Sequence, residues 1–266
     1  MKIIRFRDPT GHIQHGEPID ERSARLIEGD IFGTFTIAAH SVEIEKLLAP
    51  IVPPTILCIG LNYRAHAAET GANIPEYPVL FIKALNALHN PGDPIIIPKV
   101  APGEVDYECE LAVIIRKSTK NVSRKEAFKH ILGYTCANDV SARRWQKDRG
   151  GRQWCRGKSF DTFCPLGPWL VTPDDIPNPN DLQIKTILNG QTMQNSTTSD
   201  MIFDIPTLIS FLSEGTTLLP GTVILTGTPQ GVGFARKPPI FLNGGDQVTI
   251  EIEGIGALTN PVQEEE

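Results

Sequence analysis

The sequence has no C-x-x-C pair, and its five cysteines (Cys58, Cys109, Cys136, Cys155, Cys164) are an odd number at irregular spacing. That pattern excludes a disulfide framework and a structural zinc site, and fits reduced thiols. Long apolar runs are missing too. Even runs such as Ile95-Ile96-Ile97 and the five residues Leu111 to Ile115 are far short of a membrane span. The opening residues, Met1 to Asp8, are too short and polar for a secretory signal, which predicts a cytoplasmic protein, with the mitochondrial matrix as the other compartment. Positive charge is in deficit: 25 Lys+Arg against 31 Asp+Glu leave −6, whereas a nucleic-acid binder presents a basic face. Aromatic residues make up 7 % and do not interleave with a basic stretch. Trp145, Trp154 and Trp169 are expected to be packing residues. No G-x-S-x-G elbow, P-loop or G-x-G-x-x-G fingerprint is present.

Glycine and proline are abundant, at 23 and 22 residues. They predict many turns, and so strands rather than a helical bundle. Candidate strands are Lys2–Phe6, Thr55–Gly60, Val79–Ile82, Pro94–Ile97, a long one over Val105–Arg116, Tyr134–Ala137 and Gly221–Thr226. Asn189-Gly190 after Leu182–Leu188 signals a hairpin, and Asp246–Glu253 with Gly254 and Gly256 a terminal one. Short helices are expected at Arg64–Glu69, Arg124–Leu132, Ser141–Lys147 and Ile205–Leu212, with a helical or turn segment over Ser41–Leu48. Strands outnumber helices without alternating with them, so the expected class is a β-rich α+β fold. The prolines at 50, 53 and 54 mark a boundary between a small N-terminal β-rich unit, 1–52, and a catalytic domain, 53–266.

Three stretches carry chemistry. In Val105-Asp106-Tyr107-Glu108-Cys109-Glu110-Leu111, the two glutamates are two apart and project to one face of a strand. Read alone, the pair suits a solvated edge strand. The apolar run that follows makes it costly unless a cation sits between the carboxylates. Asp139, just before a predicted helix, is either a local cap or a third oxygen ligand. Glu108, Glu110 and Asp139 with no His or Cys among them suit a hard divalent cation, Mg²⁺ or Mn²⁺. Lys158 is either a surface lysine or the cation that offsets the remaining negative charge. His66 and Glu69 share one helix face, as an ordinary surface pair or as a base oriented by a carboxylate. Thr226-Gly227-Thr228-Pro229 is either a turn or an anion-holding loop.

These residues together resemble the fumarylacetoacetate hydrolase superfamily, and in particular its small domain-containing members. The matching stretches are Gly60-Leu61-Asn62-Tyr63 with His66, Asp106 to Leu111, Ala137-Asn138-Asp139-Val140-Ser141-Ala142-Arg143, Gly157-Lys158-Ser159-Phe160-Asp161 and Leu225 to Pro229. The resemblance implies a mixed β-sandwich roll and a homodimer. It implies Mg²⁺ or Mn²⁺ on Glu108, Glu110 and Asp139, with Ca²⁺ able to substitute. It makes His66, Glu69 and Lys158 catalytic, and Arg143, Gln146, Thr228, Asn62 and Tyr63 substrate-binding. The implied substrate is a small 2-oxo acid with a second carbonyl, of the acylpyruvate or oxaloacetate type, carried through an enolate. The His66–Glu69 pair favours C–C cleavage, by hydrolysis or decarboxylation. The alternatives are an oxaloacetate keto–enol tautomerase or a dienoate isomerase, to which Asp161–Pro168 and Arg236–Pro239 point by their likeness to an animal branch of the family. A non-catalytic metabolite-binding protein of the same fold is a further alternative. One departure concerns the pocket edge: many members carry Pro-Ser after the lysine at position 83, whereas this chain has Ala84-Leu85.

Overall fold

In the computed structural model, which describes residues 1–266, strands carry the architecture and the longest helix has nine residues. No helix is long and apolar enough to cross a membrane. The larger sheet runs, neighbour to neighbour, through Phe35–Glu43, Ser23–Gly29, Ile13–Pro18, Lys2–Arg7, Cys164–Val171, Ile131–Asn138, Cys109–Ile115, Val223–Leu225, Ile56–Gly60 and Val79–Lys83. A second sheet runs through Gln191–Thr197, Gln183–Leu188, Gln247–Ile252, Gly256–Glu264 and Ile95–Ile97. It packs against the middle of the first, where Cys109–Ile115 meets Gln183–Leu188 and Gln247–Ile252. The β-rich α+β class is as expected from composition.

Cys109–Ile115 and Ile131–Asn138 are buried at every residue. A strand covered on both faces reads as a continuous apolar run rather than an alternating one, which is what Leu111 to Ile115 shows. The Asn189-Gly190 hairpin forms, with both central residues at positive φ (51° and 81°), as the favoured two-residue turn requires. The first fifty residues fold as antiparallel strands with their own small core of Ile4, Phe6 and Ala24. They join the larger sheet through Lys2 and Ile3, which pair with Val171 and Leu170.

Four local expectations change. Ser41–Leu48 is not helical: it contributes to the strands Phe35–Glu43 and Lys46–Leu48, because pairing with Ser23–Gly29 and Lys2–Arg7 supplies its backbone bonds. Arg124–Leu132 forms only a short 3₁₀ turn, Ala127–His130, since Ile131 onward is taken by the ladder to Cys109–Ile115. Ser141–Lys147 splits into a two-residue strand, Ser141–Ala142, and one helical turn, Arg143–Gln146. The long strand over Val105–Arg116 is broken at Tyr107-Glu108 into Val105–Asp106 and Cys109–Ile115. At that break, side chains replace the ladder: Asn138 Oδ1 accepts from Glu108 N at 3.0 Å, and Gln194 Oε1 from Cys109 N at 2.9 Å.

Candidate active site

The break in the strand sets the site. Cys109 pairs with Asn138 across the antiparallel ladder, so the residues just outside that pair, Glu108 and Asp139, lie side by side. The backbone confirms it, with Asp139 N donating to Glu108 O at 2.9 Å. Glu110 enters from the same strand, and ligand oxygens of Glu108, Glu110 and Asp139 lie within 4.8 Å of one another. All three residues are buried.

Three cations surround two of these carboxylates. Lys158, at the end of the one-turn helix Cys155–Lys158, places Nζ 2.7 Å from Glu108 Oε2 and 2.6 Å from Asp139 Oδ2. Arg143 Nη1 donates to Glu108 Oε1 at 2.7 Å, while its Nε donates to Asp106 Oδ2 at 2.8 Å. Lys83, the last residue of Val79–Lys83, donates to Asp139 Oδ1 at 2.5 Å and to Val140 O at 3.1 Å. Glu110 has no cationic partner. Its Oε2 accepts one bond, from Gly227 N at 2.7 Å. That approach needs a residue without a side chain, because a Cβ on Gly227 would stand 2.7 Å from Asn62 Cβ.

The titration behaviour follows from these partners. Burial pushes Glu108 up, but Lys158 and Arg143 outweigh it and hold the carboxyl at about 2. Burial alone would lower Lys158, yet Asp139 and Glu108 hold it above the usual lysine value. Burial, with Asp139 and Glu108 nearby, drives Glu110 well above the carboxylate range. An uncompensated buried carboxylate next to two others, with no nitrogen or sulfur donor among them, is the donor set a hard divalent cation takes. These residues fit Mg²⁺ or Mn²⁺.

The carboxylates open into a cavity of about 220 Å³. His66, Glu108, Glu110, Arg143, Lys158 and Thr228 form its polar wall, with Gln146 beside them, and Phe81 and Trp154 add apolar surface. Trp154, read from sequence as packing alone, thus also faces the cavity. Asp139 is not part of the wall; it lies behind it, within ligand distance of Glu108 and Glu110 and in contact with Lys158. The helix Arg64–Thr70 ends on Gly71, whose positive φ suits a helix stop, and carries His66 into the wall. His66 Nδ1 lies 3.3 Å from Glu69 Oε2, and Gly231 N donates to Glu69 Oε1 at 2.9 Å. The helix is thereby tethered to the Gly-rich loop, and Nε2 of His66 is left for the cavity.

Two residues expected to contact substrate lie outside the cavity wall. Asn62 does not line the cavity: its Nδ2 donates to Thr226 O at 2.7 Å and Phe203 O at 3.1 Å, and its Oδ1 accepts from Phe203 N at 2.8 Å. It braces the loop that carries Gly227 and Thr228. Tyr63 is wholly buried in the apolar core, with no side-chain partner for its hydroxyl. Both are turned inward because the chain enters the helix here.

Sequence reading missed two residues. Lys83 is legible only as the lysine at the pocket edge before Ala84-Leu85, with no role of its own. Gln194 carried no signal at all, although its fully buried amide accepts from Cys109 N and from Thr186 Oγ1 (2.7 Å) and donates to Thr228 Oγ1 and Pro229 O, both at 2.8 Å. Because a backbone N–H can only donate, the amide orientation is fixed, and Thr228 Oγ1 is forced to accept. Its own proton is therefore free to donate elsewhere.

Residues 55–263 match the family model described as fumarylacetoacetate (FAA) hydrolase C-terminal. The chain belongs to the fumarylacetoacetate hydrolase family. Among relatives, it is 51 % identical over 218 residues to a mitochondrial oxaloacetate tautomerase of Xenopus laevis, covering 82 % of this chain and 68 % of the relative. It is 51 % identical over 231 residues to a fumarylacetoacetate hydrolase domain-containing protein 2 homolog of Dictyostelium discoideum, covering 84 % of this chain and 75 % of the relative. A 5-carboxymethyl-2-hydroxymuconate delta-isomerase of Mycobacterium smegmatis superposes with a TM-score of 0.87 at 42 % identity, covering 100 % of both chains. The family fold expected from the motifs is thus present over the whole chain. The family match begins at residue 55, beyond the strands of the N-terminal unit.

Proposed function

We propose that this protein is a divalent-cation-assisted isomerase that interconverts the keto and enol forms of a small 2-oxo dicarboxylic acid of the oxaloacetate type. The observation that carries the proposal is the meeting of two sets of groups in one cavity. His66, backed by Glu69, shares the cavity wall with Glu108, Glu110 and Lys158, and Asp139 completes the carboxylate cluster from behind. The choice of reaction leans on the relatives: several at about half identity, those of Xenopus laevis and Bos taurus among them, are named oxaloacetate tautomerases, and the solved neighbours include isomerases. This reverses the order of the sequence-based reading, which places C–C cleavage first.

Glu108, Glu110 and Asp139 would hold the cation, which supplies Lewis-acid polarisation of the 1-carboxylate and 2-oxo pair when bound. Arg143, Gln146 and Thr228 orient the substrate, with the Thr228 hydroxyl presented as a donor. His66 takes a proton from C3 and returns one to the 2-oxo oxygen, which leaves the imidazole as it began. A C–H bond breaks, an O–H bond forms, and nothing is released. The Lys158 ammonium meets the negative charge that gathers on the oxygen between these events.

The test is NMR of the purified protein with oxaloacetate and, separately, an acylpyruvate, first with Mg²⁺ and then with EDTA. Fast keto–enol exchange of oxaloacetate without loss of carbon supports tautomerisation. Release of pyruvate or of a carboxylic acid fragment would restore the cleavage reading, and binding without any turnover would favour a non-catalytic role.

A further inference from the structure

Three cationic side chains line the cavity: Arg143, Lys158 and Lys147. Two are already paired with carboxylates of the protein. Arg143 is held by Asp106 and Glu108, and Lys158 by Glu108 and Asp139. Lys147 makes no ion pair with any carboxylate. It follows directly after the helical turn Arg143–Gln146, and its ammonium rests over the Phe234 ring, 4.8 Å from the centroid. Arg143 lies over the same ring at 4.3 Å. Phe234 therefore holds the lysine at the cavity by a cation–π contact, which leaves the ammonium's hydrogen-bonding capacity for a ligand.

We propose that Lys147 is a specificity-determining residue that receives the distal carboxylate of a dicarboxylic substrate. The inference rests on the tautomerase reading above, since it presumes that the 1-carboxylate and 2-oxo end lies toward Glu108 and Glu110. A small 2-oxo acid whose other end is methyl or phenyl would set an apolar group beside this free ammonium and gain nothing from it. A second carboxylate gains a charge-assisted contact in a partly enclosed site. Nothing else lining the cavity offers an unengaged positive charge, so the selection of a dicarboxylic over a monocarboxylic acid falls to this side chain.

The test compares wild type, Lys147→Gln and Lys147→Arg, each as full-length protein with Mg²⁺. Tautomerisation rates are measured on oxaloacetate and on phenylpyruvate. The ratio of kcat/KM for oxaloacetate to that for phenylpyruvate should fall about fivefold in Lys147→Gln, through KM, the size expected for one exposed ionic contact. Lys147→Arg should recover most of the ratio. Equal losses on both substrates, or no change in the ratio, would overturn the proposal. The same variants are titrated calorimetrically with malate and with 2-hydroxybutyrate, which differ by the distal carboxylate and need no turnover. A Kd preference for malate that vanishes in Lys147→Gln supports the assignment even where wild type tautomerises nothing, in which case the tautomerase reading alone fails. A preference unaltered by the substitution sinks the Lys147 assignment whatever the reaction proves to be.

Discussion

Lys158 Nζ lies 2.6 Å from Asp139 Oδ2, and both side chains are shut away from solvent. The same ammonium contacts Glu108, so one lysine bridges two members of the carboxylate cluster. Removing one partner of a buried ion pair leaves the other charge uncompensated. Because Arg143 still faces Glu108 and Lys83 still faces Asp139, Lys158→Met should destabilise the metal-free protein, by less than the roughly 3–5 kcal/mol of a buried charge left with no partner. Added Mg²⁺ should recover part of the loss, because the cation takes over the neutralising role. Thermal melts with EDTA and with excess Mg²⁺ measure both effects, and an unshifted midpoint in EDTA would count against the bridge.

Glu110 is the cluster member without a cationic neighbour. EDTA should bring turnover to background, with recovery on adding Mg²⁺ or Mn²⁺. Glu110→Gln should weaken Mn²⁺ binding by about 10-fold or more, as loss of a charged ligand from a hard-cation site does. Glu108→Ala should abolish turnover with the fold retained. Calorimetry and circular dichroism check these points, and full activity in Glu108→Ala would remove it from the site.

His66 and Glu69 are expected to differ in weight. His66→Asn removes the proton carrier and should lower tautomerisation by about 10²–10⁴-fold. Glu69→Gln keeps the contact to Gly231 N and loses only the charge behind the imidazole, so its loss should be smaller, about tenfold. Rate measurements on oxaloacetate decide the order. Equal activity in His66→Asn and wild type would move the proton-transfer role to another wall residue.

Gln194 is a positioning residue with four satisfied bonds and no exposure. Gln194→Leu strands Cys109 N and the Thr186 hydroxyl and frees Thr228 to rotate. Stability should fall by about 1–3 kcal/mol for the buried groups left unpaired. KM should rise as well, because the Thr228 hydroxyl no longer presents its proton in one direction. Thr228→Val should reproduce the KM effect with little of the stability loss. Denaturant melts beside steady-state kinetics separate the two.

Much of this site was visible along the chain, for a physical reason. Glu108 and Glu110 stand out because carboxylates next to Leu111–Ile115 are costly without a cation, and the cost is local. His66 and Glu69 stand out because helical spacing puts them on one face. Asn189-Gly190 announces its hairpin because few residue pairs accept two positive φ values. Element types were harder where pairing outweighs local preference. Ser41–Leu48 and Arg124–Leu132 follow their sheet neighbours instead of their own periodicity.

By itself, the sequence determined the strand-rich class, the family motifs and the costly Glu108–Glu110 pair, because these depend on composition and on residues close together in the chain. Only the tertiary structure decided which cations are spent and which are free. Lys83, Lys147 and Lys158 are the same residue type at unremarkable positions. The register of Cys109 with Asn138 carries Asp139 to Glu108, and the packing of Val79–Lys83 and Cys155–Lys158 around that junction buries two of the lysines against Asp139. Lys147, one residue past the turn that holds Arg143, is left over Phe234 at the cavity. Charge compensation is a relation between distant segments, and the ladder that joins those segments has no mark in any one of them.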